Sequence, residues 1–418
     1  MGPDLEGWPV VKIVGFSEGP RGDSPGIVSV PTILKSTAEH GHQVVLLMGG
    51  AVNAGREAFV VPDAKSALAR RQGKGTFGIV VVKSWTHWRF SPAILWRFRK
   101  LVRSSDFVMV HSLYSFPVLA GYMLARIYGK PYGIYLHGVL APFQRQVSAQ
   151  KKAFYNKLFV NRILDNASVI FFSAEGEREE TRPLGLRAPS VIVPDGFDAS
   201  EFSVLPERGR FRARFFGGHT GPLVLFLARL NAKKGLDLLM EAMAEVIRQR
   251  PDARLAVVGP PDPAAFKQQV QQWVKDAGID AQTVLTGNAD AEMRLEAFAD
   301  SDVYVLPSHA ENFGFSVFEA MACGVPVVVS ETLNFAREFA ASGAGVALPR
   351  SAKEFSTAIV NLLDRPDLRR QMGARGKQFA RQYSQEETGA KVAATIESIV
   401  ERRTLPANLA PMLAGGAR

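Results

Sequence analysis

The sequence predicts an α/β protein made of two successive doubly wound, mostly parallel sheets. Three observations carry this reading. Short runs rich in Val, Ile, Leu and Phe, of a length suited to strands buried on both faces, alternate with longer stretches of helical period. The alternation comes in two series, separated by a stretch rich in Arg and Gly from Glu207 to Gly221. At 418 residues the chain is also too long for one ordinary core, so two domains of roughly 200 residues each are expected.

The first series opens with the strand-like run Val10–Gly15. Gly26 to His40 reads as a helix stopped by Gly41, and Gln43–Met48 as the next strand. Phe107–Val110, Tyr132–Leu136, Val169–Phe172 and Val191–Val193 continue it. Glu207 to Gly221 reads as a loop. Leu223–Leu227 starts the second series, followed by Ala253–Val258, Thr283–Leu285, Asp302–Leu306 and Val325–Val329, with helices such as Leu236–Arg248 between them. Two such sheets in tandem predict two Rossmann-like lobes facing a central cleft, with ligands at the carboxyl ends of the strands. The expected division is a first lobe over 1–205, a second over 206–384, a last helix over 385–403 packing back on the first lobe, and a flexible tail over 404–418 rich in Pro, Gly and Ala.

Hydrophobic residues make up 47% and charged residues 22%, which is the balance of a globular chain rather than a disordered one. The single cysteine, Cys323, excludes an internal disulfide and any multi-cysteine metal site, and it suits a reducing compartment. The opening residues carry Asp4 and Glu6 rather than a basic stretch, and no run approaches the ~18 apolar residues of a spanning helix. A cytoplasmic protein is therefore expected. Net charge is +10 and lies almost wholly in the first half: residues 1–205 hold 24 Lys and Arg against 16 Asp and Glu, the remainder 26 against 24. A basic face of that kind attracts anionic lipid or nucleic acid, and with no nucleic-acid module in the sequence the expectation is no nucleic-acid partner.

The densest chemical signal follows the strand Asp302–Leu306. It runs Pro307-Ser308-His309-Ala310-Glu311-Asn312-Phe313-Gly314 and on through Glu319-Ala320-Met321-Ala322-Cys323-Gly324-Val325-Pro326. The segment Asn312–Phe315 should begin a helix, whose free amides and positive dipole end suit anionic or hydroxyl-rich ligands. Glu319 lies about two turns further on, on a similar face. Carboxylates accept bonds from sugar hydroxyls, so a pair this far apart, Glu311 with Glu319, can grip one ribose and one hexose, in either order. An isolated pair of this spacing would be solvated helix surface; the presence of the whole string argues against that reading. It resembles the family-4 glycosyltransferases, which have the two-lobed GT-B fold.

The resemblance extends along the chain. Ala228-Arg229-Leu230-Asn231-Ala232-Lys233-Lys234-Gly235 is similar to the family's Gly-Arg-Leu to Lys-Gly segment, with Ala228 in place of the glycine. It implies that Arg229 and Lys234 hold the donor diphosphate, where fixed cations stabilise the charge that develops as the glycosidic bond breaks. Val110-His111-Ser112-Leu113-Tyr114-Ser115-Phe116-Pro117 and Tyr135-Leu136-His137-Gly138-Val139-Leu140 resemble family strands and their ends. They imply a donor-sugar contact at His137, with His111 a further candidate. Pro194-Asp195-Gly196-Phe197-Asp198 resembles the family's Pro-Asn-Gly-x-Asp turn. In the first glycine loop Gly26 is the match, and Pro25 stands where another glycine is usual.

Asp300-Ser301-Asp302 has the form of a metal-binding DxD string but precedes its strand, so a structural role is expected, with no metal and no cofactor. Lys83 to Arg103 holds Trp85, Trp88, Phe90, Trp96 and Phe98 with six Lys and Arg and no acid; Gln144 to Arg162 holds five Lys and Arg and no acid. Such stretches can lie on an anionic membrane, and peripheral contact with the cytoplasmic membrane is expected. No Asp or Glu is an obvious nucleophile beside His137. The resemblance implies a retaining, metal-independent hexosyltransferase. Its donor would be a UDP- or GDP-sugar and its acceptor a saccharide or lipid-linked saccharide, in cell-surface polysaccharide synthesis, with the first lobe on the acceptor side and the second binding the nucleotide-sugar. Expected catalytic residues are His137, Arg229, Lys234 and Glu311. Expected donor contacts are Gly26, Arg229, Lys234, Asn312, Phe313, Gly314, Phe315 and Glu319. The alternatives are a GT-B nucleotide-sugar epimerase and a catalytically inactive nucleotide-sugar-binding scaffold.

Overall fold

The computed structural model describes residues 10–18, 29–50, 75–85, 88–142, 145 and 155–401. They fall into two compact units, one within the ranges 1–196 and 385–418 and the other within 197–384. Gly26 and its loop, and most of the basic stretch from Gln144 to Phe154, lie outside the described residues.

The first unit is built on seven strands: β1 (Lys12–Glu18), β2 (Gln43–Gly50), β3 (Thr76–Lys83), β4 (Phe107–His111), β5 (Tyr132–Tyr135), β6 (Val169–Phe172) and β7 (Ser190–Ile192). Their order is β3-β2-β1-β4-β5-β6-β7 and every pair is parallel. Strands β4, β5 and β6 are buried at every position, because helices cover both faces. Those helices include α1 (Ser29–Glu39), α2 (Ala93–Ser104), α3 (Phe116–Ile127), α4 (Asn161–Asp165) with a π turn over Asn156–Val160 before it, and α5 (Glu175–Thr181). Strand β3, absent from the sequence-based expectation although Phe77–Val82 is an unbroken apolar run, is an edge strand whose residues are mostly half-buried.

The second unit holds β8 (Leu223–Leu227), β9 (Arg254–Val258), β10 (Thr283–Gly287), β11 (Val303–Leu306), β12 (Val327–Ser330) and β13 (Gly345–Leu348), all parallel in the order β10-β9-β8-β11-β12-β13. Its helices are α6 (Arg210–Phe216), α7 (Leu236–Gln249), α8 (Phe266–Asp276), α9 (Ala291–Asp300), α10 (Phe315–Ala322), α11 (Ala336–Ser342), α12 (Ala352–Asp364) and α13 (Pro366–Arg381). Strand β13 is again a short edge strand outside the sequence-based expectation.

Helix α6 corrects the expectation of a loop from Glu207 to Gly221. Its start is held from far along the chain: the Asp300 carboxylate accepts from the Gly209 amide and, at 2.8 Å, from the Arg212 amide. Arg212 is buried and donates to Asp302 at 2.9 Å and to the Asp300 carbonyl at 2.8 Å. A cap supplied by residues some 90 positions away leaves no local signal.

The last helix, α14 (Gln385–Val400), belongs to the first unit and packs on α1. Gly389 lies so close to Ser36 that a β-carbon would collide with it, and Ser36 Oγ donates to the Gln385 carbonyl at 2.8 Å. In each sheet the strand order reverses at one point, between β1 and β4 and between β8 and β11. Loops leaving the carboxyl ends there are where doubly wound folds place ligands.

Candidate active site

In the second unit, the loops after β8 and β11 converge. The β8 loop carries Arg229 and then a single helical turn, Ala232–Lys234, before Gly235 opens α7 in the left-handed region at φ 69°. Glycine is needed there twice over: for that φ, and because a β-carbon would run into the Pro307 carbonyl. The His309 amide donates to the Lys233 carbonyl at 2.8 Å, tying the two loops together.

This brings Lys234 onto Glu311. Its Nζ donates to Oε2, while Lys233 Nζ stands 3.9 Å from Oε1. Burial pushes the Glu311 carboxyl up, but Lys234, Lys233 and Arg229 pull it further down, to a net position below the usual range. Glu311 therefore stays ionised. Arg229 is half-exposed and pairs with Asp262 at 3.0 Å.

Glu311 lies on the loop rather than on the helix, since α10 begins only at Phe315, after Gly314 at φ 80°. The loop is held by the Asn334 amide donating to the Glu311 carbonyl at 3.1 Å and by Asn334 Nδ2 donating to Asn312 Oδ1 at 3.2 Å. Phe313 is buried, its ring stacked on Phe318 with centroids 4.3 Å apart, so its side chain anchors the loop in an aromatic core. Phe315 is exposed beside it. Glu319, on α10, accepts from Arg294 Nη1 at 3.2 Å; Arg294 Nη2 donates to Glu201 at 2.7 Å. Burial and the Glu201 charge raise the Glu319 carboxyl, and Arg294 opposes them without cancelling them. The two glutamates are thus held by different cations.

In the first unit the structure gathers His111, His137, Asp195, Glu177 and Ser173. His137 Nδ1 is 2.7 Å from Asp195 Oδ1, and His137 Nε2 is 3.0 Å from His111 Nδ1. The carboxylate of Glu177 accepts from the Gly138 amide at 2.6 Å and from the Ser173 amide at 2.7 Å. Burial lifts the Glu177 carboxyl to about 7 against those two amide bonds. Asp195 thus stands beside His137, engaged with its ring. Asp195 is 58 positions away and Glu177 is 39 or more, so only the sheet brings them there. The one local signal is the Ser173-to-Glu177 spacing at the head of α5.

The DxD string is built into a strut: Asp300 serves the α6 amides, and Asp302 accepts from Arg208 at 2.7 Å and Arg212 at 2.9 Å. Among the described residues no helix is long and apolar enough to cross a membrane.

The family model described as "Glycosyl transferases group 1" matches residues 208–379, and that described as "Glycosyl transferase 4-like domain" matches residues 28–196. The chain is 29% identical over 254 residues to a D-inositol 3-phosphate glycosyltransferase of Kineococcus radiotolerans, covering 56% of this chain and 58% of that one. It is 29% identical over 255 residues to a GDP-mannose-dependent alpha-(1-6)-phosphatidylinositol monomannoside mannosyltransferase of Mycolicibacterium smegmatis, covering 58% and 66%. The chain thus spans under two thirds of the length of either curated relative. Its fold is similar to that of Anabaena HepE in complex with UDP and glucose, with a TM-score of 0.71 over 93% of this chain and 100% of that one at 17% identity.

Proposed function

Because the chain belongs to the family-4-like glycosyltransferases of the GT-B fold, we propose that it transfers a hexose from a UDP- or GDP-sugar to a saccharide or lipid-linked saccharide, with retention and without a metal ion. The observation that carries this reading is the convergence of Lys234 on Glu311, with Arg229 on the same β8 loop. A lysine ammonium has three donors, so the bond to Glu311 leaves others for a phosphate oxygen. Arg229 and Lys234 meet the donor diphosphate and stabilise the charge that grows on it. Glu311 accepts from hexose hydroxyls and Glu319 from the ribose. The backbone of Asn312–Gly314 and Phe315, at the start of α10, adds amide donors.

In the proposed reaction the bond from the anomeric carbon to the diphosphate oxygen breaks, and the bond to the acceptor oxygen forms on the same face. The acceptor's proton passes to the departing diphosphate, which leaves as the protonated nucleotide. An epimerase would need an acid or base free to reach the sugar. Both oxygens of Glu177 are taken by amides, and Asp195 is held by His137 and Ser173, which favours the transferase.

The outer face of α2 supports a lipid-linked acceptor at a membrane surface. Trp96 is 69% exposed, with Arg99 stacked over it, and Arg97, Lys100 and Arg103 are exposed alongside. Cytoplasmic location, peripheral membrane association and a role in cell-surface polysaccharide synthesis complete the proposal.

The test is calorimetric titration of the full chain with UDP, GDP, ADP and their sugars in EDTA, with product analysis after incubation with and without a saccharide acceptor. Saturable binding of one nucleotide family, lost in Arg229→Ala, supports the reading. Binding to none of them overturns it. An epimerised sugar formed without acceptor moves the assignment to the epimerase.

A further inference from the structure

His111, His137 and Asp195 form one hydrogen-bonded row across the carboxyl ends of β4, β5 and β7. Resting on the proposed transferase and on the donor-sugar contact that the family resemblance implies for His137, we infer that Asp195 and His111 are positioning residues that fix the tautomer and setting of the His137 ring from both sides.

A carboxylate offers only lone pairs, so the proton shared at 2.7 Å sits on His137 Nδ1. His137 Nε2 then carries a lone pair, and the 3.0 Å contact is a bond donated by His111 Nδ1–H. His111 suits that part. It is fully buried, and burial with His137 beside it holds its imidazole well below the usual range, so it is neutral. Its own Nε2 finds no hydrogen-bond partner among the described residues, which suits a bare lone pair better than an N–H. The side chains of His137 and Asp195 are each only 6% exposed, and Ser173 Oγ stands 3.4 Å from the second oxygen of Asp195.

The backbone is held just as firmly. His137 has φ 51° and Gly138 φ 74°, a left-handed pair that a histidine enters only under constraint. The Glu177 carboxylate bridges the Gly138 amide to the Ser173 amide at the end of β6. With both ring nitrogens engaged, His137 cannot take a proton from an acceptor hydroxyl through its ring without breaking the bond to His111. What it offers the donor is a fixed backbone and ring edge, and the acceptor's proton goes to the departing diphosphate. Asp195 replaces the asparagine of the resembled turn, and an asparagine carbonyl could accept the same Nδ1–H.

The test reads the full chain by ¹⁵N-resolved imidazole NMR and by kinetics. Wild type should show His137 with Nδ1–H and a bare Nε2. Asp195→Ala should lose that signature and lower kcat by about 10–100-fold, the cost of a misplaced reacting group, with donor KM within about twofold. Asp195→Asn should restore both. An Nε2–H tautomer in wild type overturns the inference, and so does an Asp195→Ala variant with an unchanged signature and kcat. The wild-type spectrum needs no variant to fold and no donor to be turned over, so a wrong tautomer and a failed transferase reading are distinguishable.

Discussion

Arg294 joins Glu319 to Glu201, donating to the first at 3.2 Å and to the second at 2.7 Å, with its guanidinium over the Phe202 ring. This orients the carboxylate proposed to hold the donor ribose. Arg294→Ala leaves Glu319 buried without its cation, so its carboxyl rises further and binds hydroxyls less well. Donor KM is expected to rise about tenfold or more, the loss of one charged hydrogen bond, with kcat little changed. Steady-state kinetics with a ribose 2′-deoxy donor provide the control, since that donor should respond less to the substitution.

Lys234 and Glu311 should behave as a unit. Lys234→Ala is expected to lower kcat by about 10²–10³-fold, as for the loss of one oxyanion donor. Glu311→Gln should be deleterious alone, yet the double variant should be much better than the product of the two. Additive effects in a double-mutant cycle would mean that the ion pair has no part in turnover.

Glu177 predicts a pH dependence of stability. Its carboxyl is raised to about 7 by burial, above the ordinary value it regains on unfolding. The protonated group's contribution is therefore complete below about 4.5 and is lost as pH rises through about 7. Urea unfolding of wild type between pH 5 and 8 should show a downward slope that is absent in Glu177→Leu. Parallel curves for the two would rule out the raised carboxyl.

The outer face of α2 predicts salt-sensitive binding to anionic vesicles. Neutralising Arg97, Lys100 and Arg103 together should weaken partition by roughly a hundredfold, at about 1 kcal/mol for each charge. Co-sedimentation with phosphatidylglycerol vesicles, against neutral ones, measures it. Equal binding of the triple variant and wild type would remove α2 from the surface contact.

The sequence by itself determined the two doubly wound sheets. Their central strands are buried on both faces, so each shows as an unbroken apolar run between helical stretches. The same letters displayed Pro307–Pro326 and Ala228–Gly235, because their charged and polar side chains stand at short, regular spacings. Edge strands β3 and β13 are apolar runs too, at Phe77–Val82 and Gly345–Leu348, but they are half-solvated, and an expectation built on strands buried on both faces leaves them out. Only the tertiary structure decided which acid meets which cation or imidazole. Lys234 and Glu311 are 77 positions apart, Arg294 and Glu319 25, and His137 and Asp195 58. Such pairs form because parallel strands carry their carboxyl ends to one edge of a sheet, and no local pattern records which loops then face each other.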